Sequence, residues 1–191
     1  MALDLIEPVV ARGTLEELRA VYEPGLVRTW RASWGDTLLT TALGRHDKEG
    51  RIGISNFLLD DDADATYVDR RTGSSTLTLL ISRADLAAPA EDVALFRRLL
   101  DAGADINAVN KKYGTPVQRL SETLLNKDES LGVPFYDVIF AREDLDLFKI
   151  GAFKKSSYRS IELNKDYFPI LWTRVQQYVR EHGLVVPEVA G

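Results

Sequence analysis

The stretch Leu99-Leu100-Asp101-Ala102-Gly103-Ala104-Asp105-Ile106-Asn107-Ala108 runs on into Asn110-Lys111-Lys112-Tyr113-Gly114 and then Thr115-Pro116-Val117. A leucine pair closing an amphipathic run belongs on the buried side of a helix. Gly103, directly after it, can take the left-handed conformation that ends a helix. Asp105 and Asn107 can accept hydrogen bonds from loop amides. Thr115 has the side chain of a helix N-cap. Pro116 then falls at the first helical position, where a missing N–H costs nothing. These residues predict one helix leaving and another entering around a tight turn.

The pattern recurs. Leu58-Leu59-Asp60-Asp61-Asp62-Ala63-Asp64-Ala65 repeats it 41 positions earlier, with Leu58 matching Leu99 and Asp64 matching Asp105. A degenerate copy over 138–146 aligns 39 positions after 99–107. Gly35-Asp36-Thr37-Leu38-Leu39 and Gly73-Ser74-Ser75-Thr76-Leu77 are earlier versions of the turn at Gly114-Thr115-Pro116-Val117. In this order the motifs resemble the ankyrin-repeat family, whose helix pairs bury their apolar sides only against neighbouring units. The resemblance implies an all-α fold, an ankyrin-type helix-pair solenoid of about four to five repeats with diverged terminal caps. Units of that family run about 33 residues. The units here are longer, and the extra length falls between paired helices, at 44–53 and 83–91.

The chain reads as a single domain over residues 1–191: an N-terminal cap at 1–33, recognisable repeats at 34–146, a C-terminal cap at 147–184 and a tail at 185–191. Thr14-Leu15-Glu16-Glu17 has capping-box spacing, and 26–34 replaces the usual hairpin. First helices are expected at 37–43, 75–83, 115–125 and 156–163. Second helices are expected near 52–59, 91–100, 134–140 and 166–181. The last carries Phe168, Leu171, Trp172, Val175 and Val179 on one stripe, and His182-Gly183 stops it.

Composition narrows the function. Twenty-four basic against 29 acidic residues leave a net charge of −5, which argues against a general nucleic-acid or anionic-membrane binder. No cysteine is present, so disulfides and thiolate chemistry are excluded, and a reducing, cytoplasmic setting is expected. The N-terminal residues show no basic leader with a long apolar run, and no membrane span is expected. His46 and His182 are the two histidines, and both read as helix-end residues. Asp60, Asp62 and Asp64 have the opening spacing of a calcium loop. Ala65 and Arg71 stand where its glycine and bidentate glutamate should be. Phosphate-loop and nucleophile-elbow patterns are missing. No catalytic residue, cofactor or metal is therefore expected. The remaining enzymatic reading would place a pocket around Tyr158, Glu162 and Asp166.

In ankyrin proteins the turn tips and the exposed face of the first helices form a concave binding surface. The resemblance places Arg70, Arg71, Lys111, Lys112 and Tyr113 on tips, and Thr41, Arg45, Leu79, Arg83 and Arg119 on first helices. Trp34, in the atypical first connection, reads either as a seal on the edge of the core or as a further contact candidate. The apolar run 148–153 is flanked by Lys149, Lys154 and Lys155. Ser156-Ser157 beside them reads either as a solvated loop or as a patch for phosphate or an acidic partner. The expected function is a non-catalytic protein–protein interaction module, monomeric on its own. Its size, acidity and long units are similar to the immunity proteins of bacterial toxin systems. That implies neutralisation of a cognate toxin, such as a basic nuclease. A general cytoplasmic adaptor is the alternative.

Overall fold

A computed structural model describes residues 2–33 and 35–187, with side chains from Leu5 onward. The helices run α1 (Ala2–Arg12), α2 (Leu15–Val21), α3 (Leu26–Thr29), α4 (Leu38–Leu43), α5 (Lys48–Asp60), α6 (Thr76–Arg83), α7 (Ala90–Asp101), α8 (Pro116–Thr123), α9 (Val133–Ile139), α10 (Ser157–Leu163) and α11 (Pro169–Glu181). The fold is all-α: among the described residues no β-strand forms, and antiparallel bridges occur singly at the turns. No described helix is long and apolar enough to cross a membrane.

The helices pack in two rows. One row is α1, α4, α6, α8 and α10; the other is α2, α5, α7, α9 and α11. In each row every helix touches the next. The reason lies in repeated local signals. Thr37, Ser75, Thr115 and Ser156 each cap the following helix, their side chains accepting from the amides of Thr40, Thr78, Gln118 and Arg159. Each such cap stabilises by about 1 kcal/mol and sets where a first helix starts. Leu58 and Leu99 are both fully buried, and both carbonyls accept from five residues on, from Ala63 at 3.1 Å and Ala104 at 3.0 Å. The two leucine pairs thus occupy equivalent places one layer apart.

The copy at 138–146 keeps the period but not the expected offset. Asp64, Asp105 and Asp146 each accept from the amide two residues ahead, at 2.9, 2.7 and 2.9 Å. Behind them Ala63, Ala104 and Leu145 are all buried. The step is therefore 41 again, not 39. Helix α9 stops at Ile139, and a longer exit loop restores the register.

Asp62 sits at φ 60°, the place Gly103 occupies at φ 94° in the next unit. An L-residue pays roughly 1–2 kcal/mol in that region, aspartate less than most. The ion pair of Asp62 with Arg28 is exposed on both sides and worth little. Asp62→Gly should therefore raise stability by about 0.5–1 kcal/mol, after allowing for glycine's greater freedom in the unfolded chain. A lower urea midpoint at unchanged m-value would contradict this.

Three boundaries differ from the sequence expectation. Helix α5 starts at Lys48, so most of the supposed insertion at 44–53 is helix. Gly50 looks like a breaker, but a Cβ there would lie 2.2 Å from Arg45 Nη2, so glycine is what lets this guanidinium close over the helix start. Helix α11 starts at Pro169, later than 166, because its first amides are held from outside: Ile170 and Leu171 donate to Glu129 at 2.9 and 2.7 Å. Segment 26–34 contains the short α3. It is fastened by the Asp61 carboxylate, which accepts from Tyr22 Oη and Gly25 N, both at 2.6 Å.

The second and third units share a buried ion pair. Arg51 and Asp92 are 1% and 0% exposed. Arg51 Nη2 lies 2.9 Å from Asp92 Oδ1, and Asp92 Oδ2 also accepts from the amide of Asp85 at 2.9 Å.

Candidate functional site

Stacking first helices side by side, each preceded by a projecting turn, leaves a hollow between the helix faces and the turns. Here it is a groove of about 1850 Å³. Thr41 and Leu79, on α4 and α6, line it with their half-buried side chains. Arg12 to Leu15, at the α1–α2 junction, and Tyr67 to Thr72, around the first turn tip, also line it. Arg70 and Arg71 are exposed at this tip.

Arg45 borders the groove but is not the exposed contact that the sequence suggested. Its side chain is 4% exposed. Nη1 donates to the Val10 carbonyl at 2.7 Å, and Nε and Nη2 hold both oxygens of Asp47 at 2.9 Å. It staples α1 to the α4–α5 connection. Val10 lies 35 positions away, beyond the reach of any local signal. Trp34 lies outside the described residues.

Arg83, Lys111, Lys112, Tyr113 and Arg119 are not among the groove-lining residues. Lys112, Tyr113 and Arg119 form a second cluster. The Tyr113 ring is flanked by two cations: Arg119 Cζ is 4.0 Å from its centroid and Lys112 Nζ 4.7 Å. Arg119 also donates to Ser82 Oγ and to Glu122 at 2.9 and 2.7 Å. Lys112 donates to Tyr113 Oη at 3.0 Å, and that bond raises its pKa. Arg83 is exposed, with Nη1 3.4 Å from His46 Nδ1. The groove and this cluster meet at the backbone, where Lys111 N donates to Thr72 O at 2.8 Å.

Other sequence candidates have structural employment. Asp60 pairs with Arg98, Asp61 with Tyr22, Asp62 with Arg28, and Asp64 accepts from Thr66. Ser156 caps α10, and Ser157 Oγ lies 2.6 Å from Thr115 Oγ1; both serines are buried rather than a solvated patch. Tyr158 packs against the rings of Phe148 and Trp172, Glu162 pairs with Arg159, and Asp166 is exposed. Residues that sequence reading missed are Tyr67 in the groove and, in the turn bridged from Ile150 to Ser156, Ile150 and Phe153, 61% and 86% exposed. The lysines around 148–153 were the available signal for the latter two.

Several carboxylates are held below their ordinary pKa of 3.8: Asp47 by the Arg45 hydrogen bond, Asp61 by Tyr22, and Asp69 by Thr72. Burial, with Asp36 and Asp69 nearby, raises the Tyr67 phenol. Depressed carboxylates stabilise the fold above the unfolded-state value. That contribution is lost as pH falls through the lower folded-state values. The urea midpoint should therefore stay level from about pH 7 to pH 5 and drop below about pH 4, with proton uptake on unfolding. A midpoint that rises between pH 4 and pH 3 would contradict the sign.

No protein-family model and no curated protein sequence matches the chain. Among solved structures it is similar to that of a functionally unknown protein from Leptotrichia buccalis C-1013-b. The TM-score is 0.68 and the identity 20%, over 97% of this chain and 100% of that one. At that identity the likeness shows a shared fold.

Proposed function

We propose that the chain is an ankyrin-type, non-catalytic protein-binding module that seats a basic protein in the groove between α4, α6 and the first turn tip. The repeated N-caps, the 41-residue step of the exit loops and the two helix rows support the ankyrin-type reading.

The groove's charge carries the choice of partner. It is lined by six carboxylates (Glu7, Asp36, Asp47, Glu49, Asp64, Asp69) against four arginines; Arg45 and Asp47 pair with each other and cancel, which gives five against three. On a chain of net charge −5, that field steers a cationic partner inward and raises its association rate. A basic nuclease toxin neutralised in the cytoplasm is the partner class that the resemblance to immunity proteins implies.

The test is capture of partners on the immobilised protein from native lysate, with identification by mass spectrometry and a parallel Thr41→Arg variant. Thr41 lies in the groove, half-buried, and an arginine there adds bulk and positive charge. A basic protein retained by the wild type and lost at least tenfold on the variant is expected, with relief of its toxicity on co-expression. A non-toxic partner assigns the adaptor role instead. Retention that Thr41→Arg leaves unchanged removes the groove reading.

A further inference from the structure

The turn tips form a cationic ridge whose first member, Arg70-Arg71, stands on the rim of the groove. Hairpin-like bridges join Val68 to Ser75, Asn110 to Gly114 and Ile150 to Ser156, so three tips project in succession. Each ends in a pair of exposed cations: Arg70-Arg71, Lys111-Lys112 and Lys154-Lys155. The tips are held in register. Besides the Lys111–Thr72 backbone bond, Asn110 Nδ2 donates to Ser74 Oγ at 2.8 Å. The third tip is fixed through Gln118, which accepts from Ala152 N at 3.3 Å and donates to Lys155 O at 3.1 Å.

Nearby carboxylates are engaged within the fold, Asp69 and Glu122 close enough to act on Arg71 and Lys112 themselves. Asp69 accepts from Thr72, Glu122 from Arg119, and Asp105 lies 3.8 Å from Lys149. At the third tip Phe153 and Lys154 take successive left-handed conformations, φ 54° and 56°, and Phe153 stands 86% exposed. Ile150, 61% exposed, belongs to the same tip. The fold thus holds an aromatic ring out in water at one end of a cationic ridge, at a conformational cost.

The geometry points to this ridge as the docking surface for an extended, acidic protein segment, with Phe153 as its apolar anchor. Packed helices step by about 8–10 Å, and a chain extended in the polyproline II conformation turns once every three residues and rises about 3.1 Å per residue, so every third side chain lies on one side. Carboxylates on every third residue therefore meet successive cation pairs, and an apolar residue at the end reaches Phe153. A ridge already held in register spends little ordering entropy on binding. The inference goes beyond the groove reading and does not rest on it.

The probe is a fluorescein-labelled peptide of four Glu-Ser-Thr repeats ending in Leu-Val, followed by anisotropy. It is compared with a peptide of the same composition whose glutamates are adjacent, a single-stranded oligo-uridine, and phosphatidylserine vesicles. Binding of the period-three peptide at least fivefold tighter than the rearranged one is expected at about 0.15 M salt. Lys111→Glu/Lys112→Glu should weaken it at least tenfold, and Phe153→Ser about fivefold. Thr41→Arg, in the groove, should leave it unchanged. These ridge side chains are exposed, and circular dichroism checks each variant; Arg70→Glu/Arg71→Glu gives the same readout should the lysine pair disturb folding. Equal affinity for both peptides, indifference to Phe153→Ser, or tighter binding of the oligonucleotide or vesicles would overturn the proposal while leaving the groove test unaffected.

Discussion

Asp92→Ala should cost the fold about 3–5 kcal/mol. The variant leaves the Arg51 guanidinium buried in the seam between α5 and α7 with its main counter-charge gone; its other acceptor is the Arg45 carbonyl at 3.2 Å. It also strips the Asp85 amide of its acceptor. The pair itself is not expected to be a large net stabiliser, because burying both ions costs much of what their attraction returns. The double variant Arg51→Met/Asp92→Leu should therefore recover most of the loss. Urea denaturation of the three proteins checks both halves. A single-variant loss under about 1 kcal/mol, or a double variant no better than Asp92→Ala, would mean that the seam is not held as described. Because Arg51 also holds the carbonyl of Arg45, the single variant should loosen that edge of the groove.

Phe96→Ala has a comparable expected cost, about 3–5 kcal/mol, for a different reason. Phe96 is fully buried on α7 and meets Phe135 of α9 edge-on, with ring centroids 5.5 Å apart. Deleting it removes apolar burial, leaves a cavity and ends an aromatic pair worth about 0.5–1.5 kcal/mol beyond its area. Phe96→Leu keeps most of the volume and should cost about 1.5 kcal/mol or less. Domains of this kind are stable by about 5–15 kcal/mol in total, so Phe96→Ala approaches the limit of folding at 37 °C. Thermal melts of the two variants decide it; similar midpoints would show that the α7–α9 seam repacks freely.

Much of the architecture could be read from residues close together in the chain. A threonine or serine followed three residues on by its amide partner starts a helix wherever it occurs, and Thr37, Ser75, Thr115 and Ser156 all did so. The leucine pairs at 58 and 99 took equivalent buried places, and the cationic turns at 70 and 111 became neighbouring tips. The candidate site was legible in part. Thr41, Leu79, Arg70 and Arg71 line one groove, and Tyr113 with Arg119 forms the adjoining cluster.

What stayed hidden depends on partners about 35–42 positions away. Arg45 reads as a surface cation until the Val10 carbonyl claims it. Nothing local marks Glu129 as the cap of α11, Asp92 as the counter-ion of Arg51, or Gln118 as the clasp of the third tip. Local signals act through the backbone within about a turn of helix. A charge or amide carried from one layer to the next finds its partner only when the layers stack. By itself, then, the sequence determined most of the helices, the 41-residue step between the leucine pairs at 58 and 99 and the first two tips. The tertiary structure alone decided which polar groups are spent in holding the layers together and which are left to face a partner.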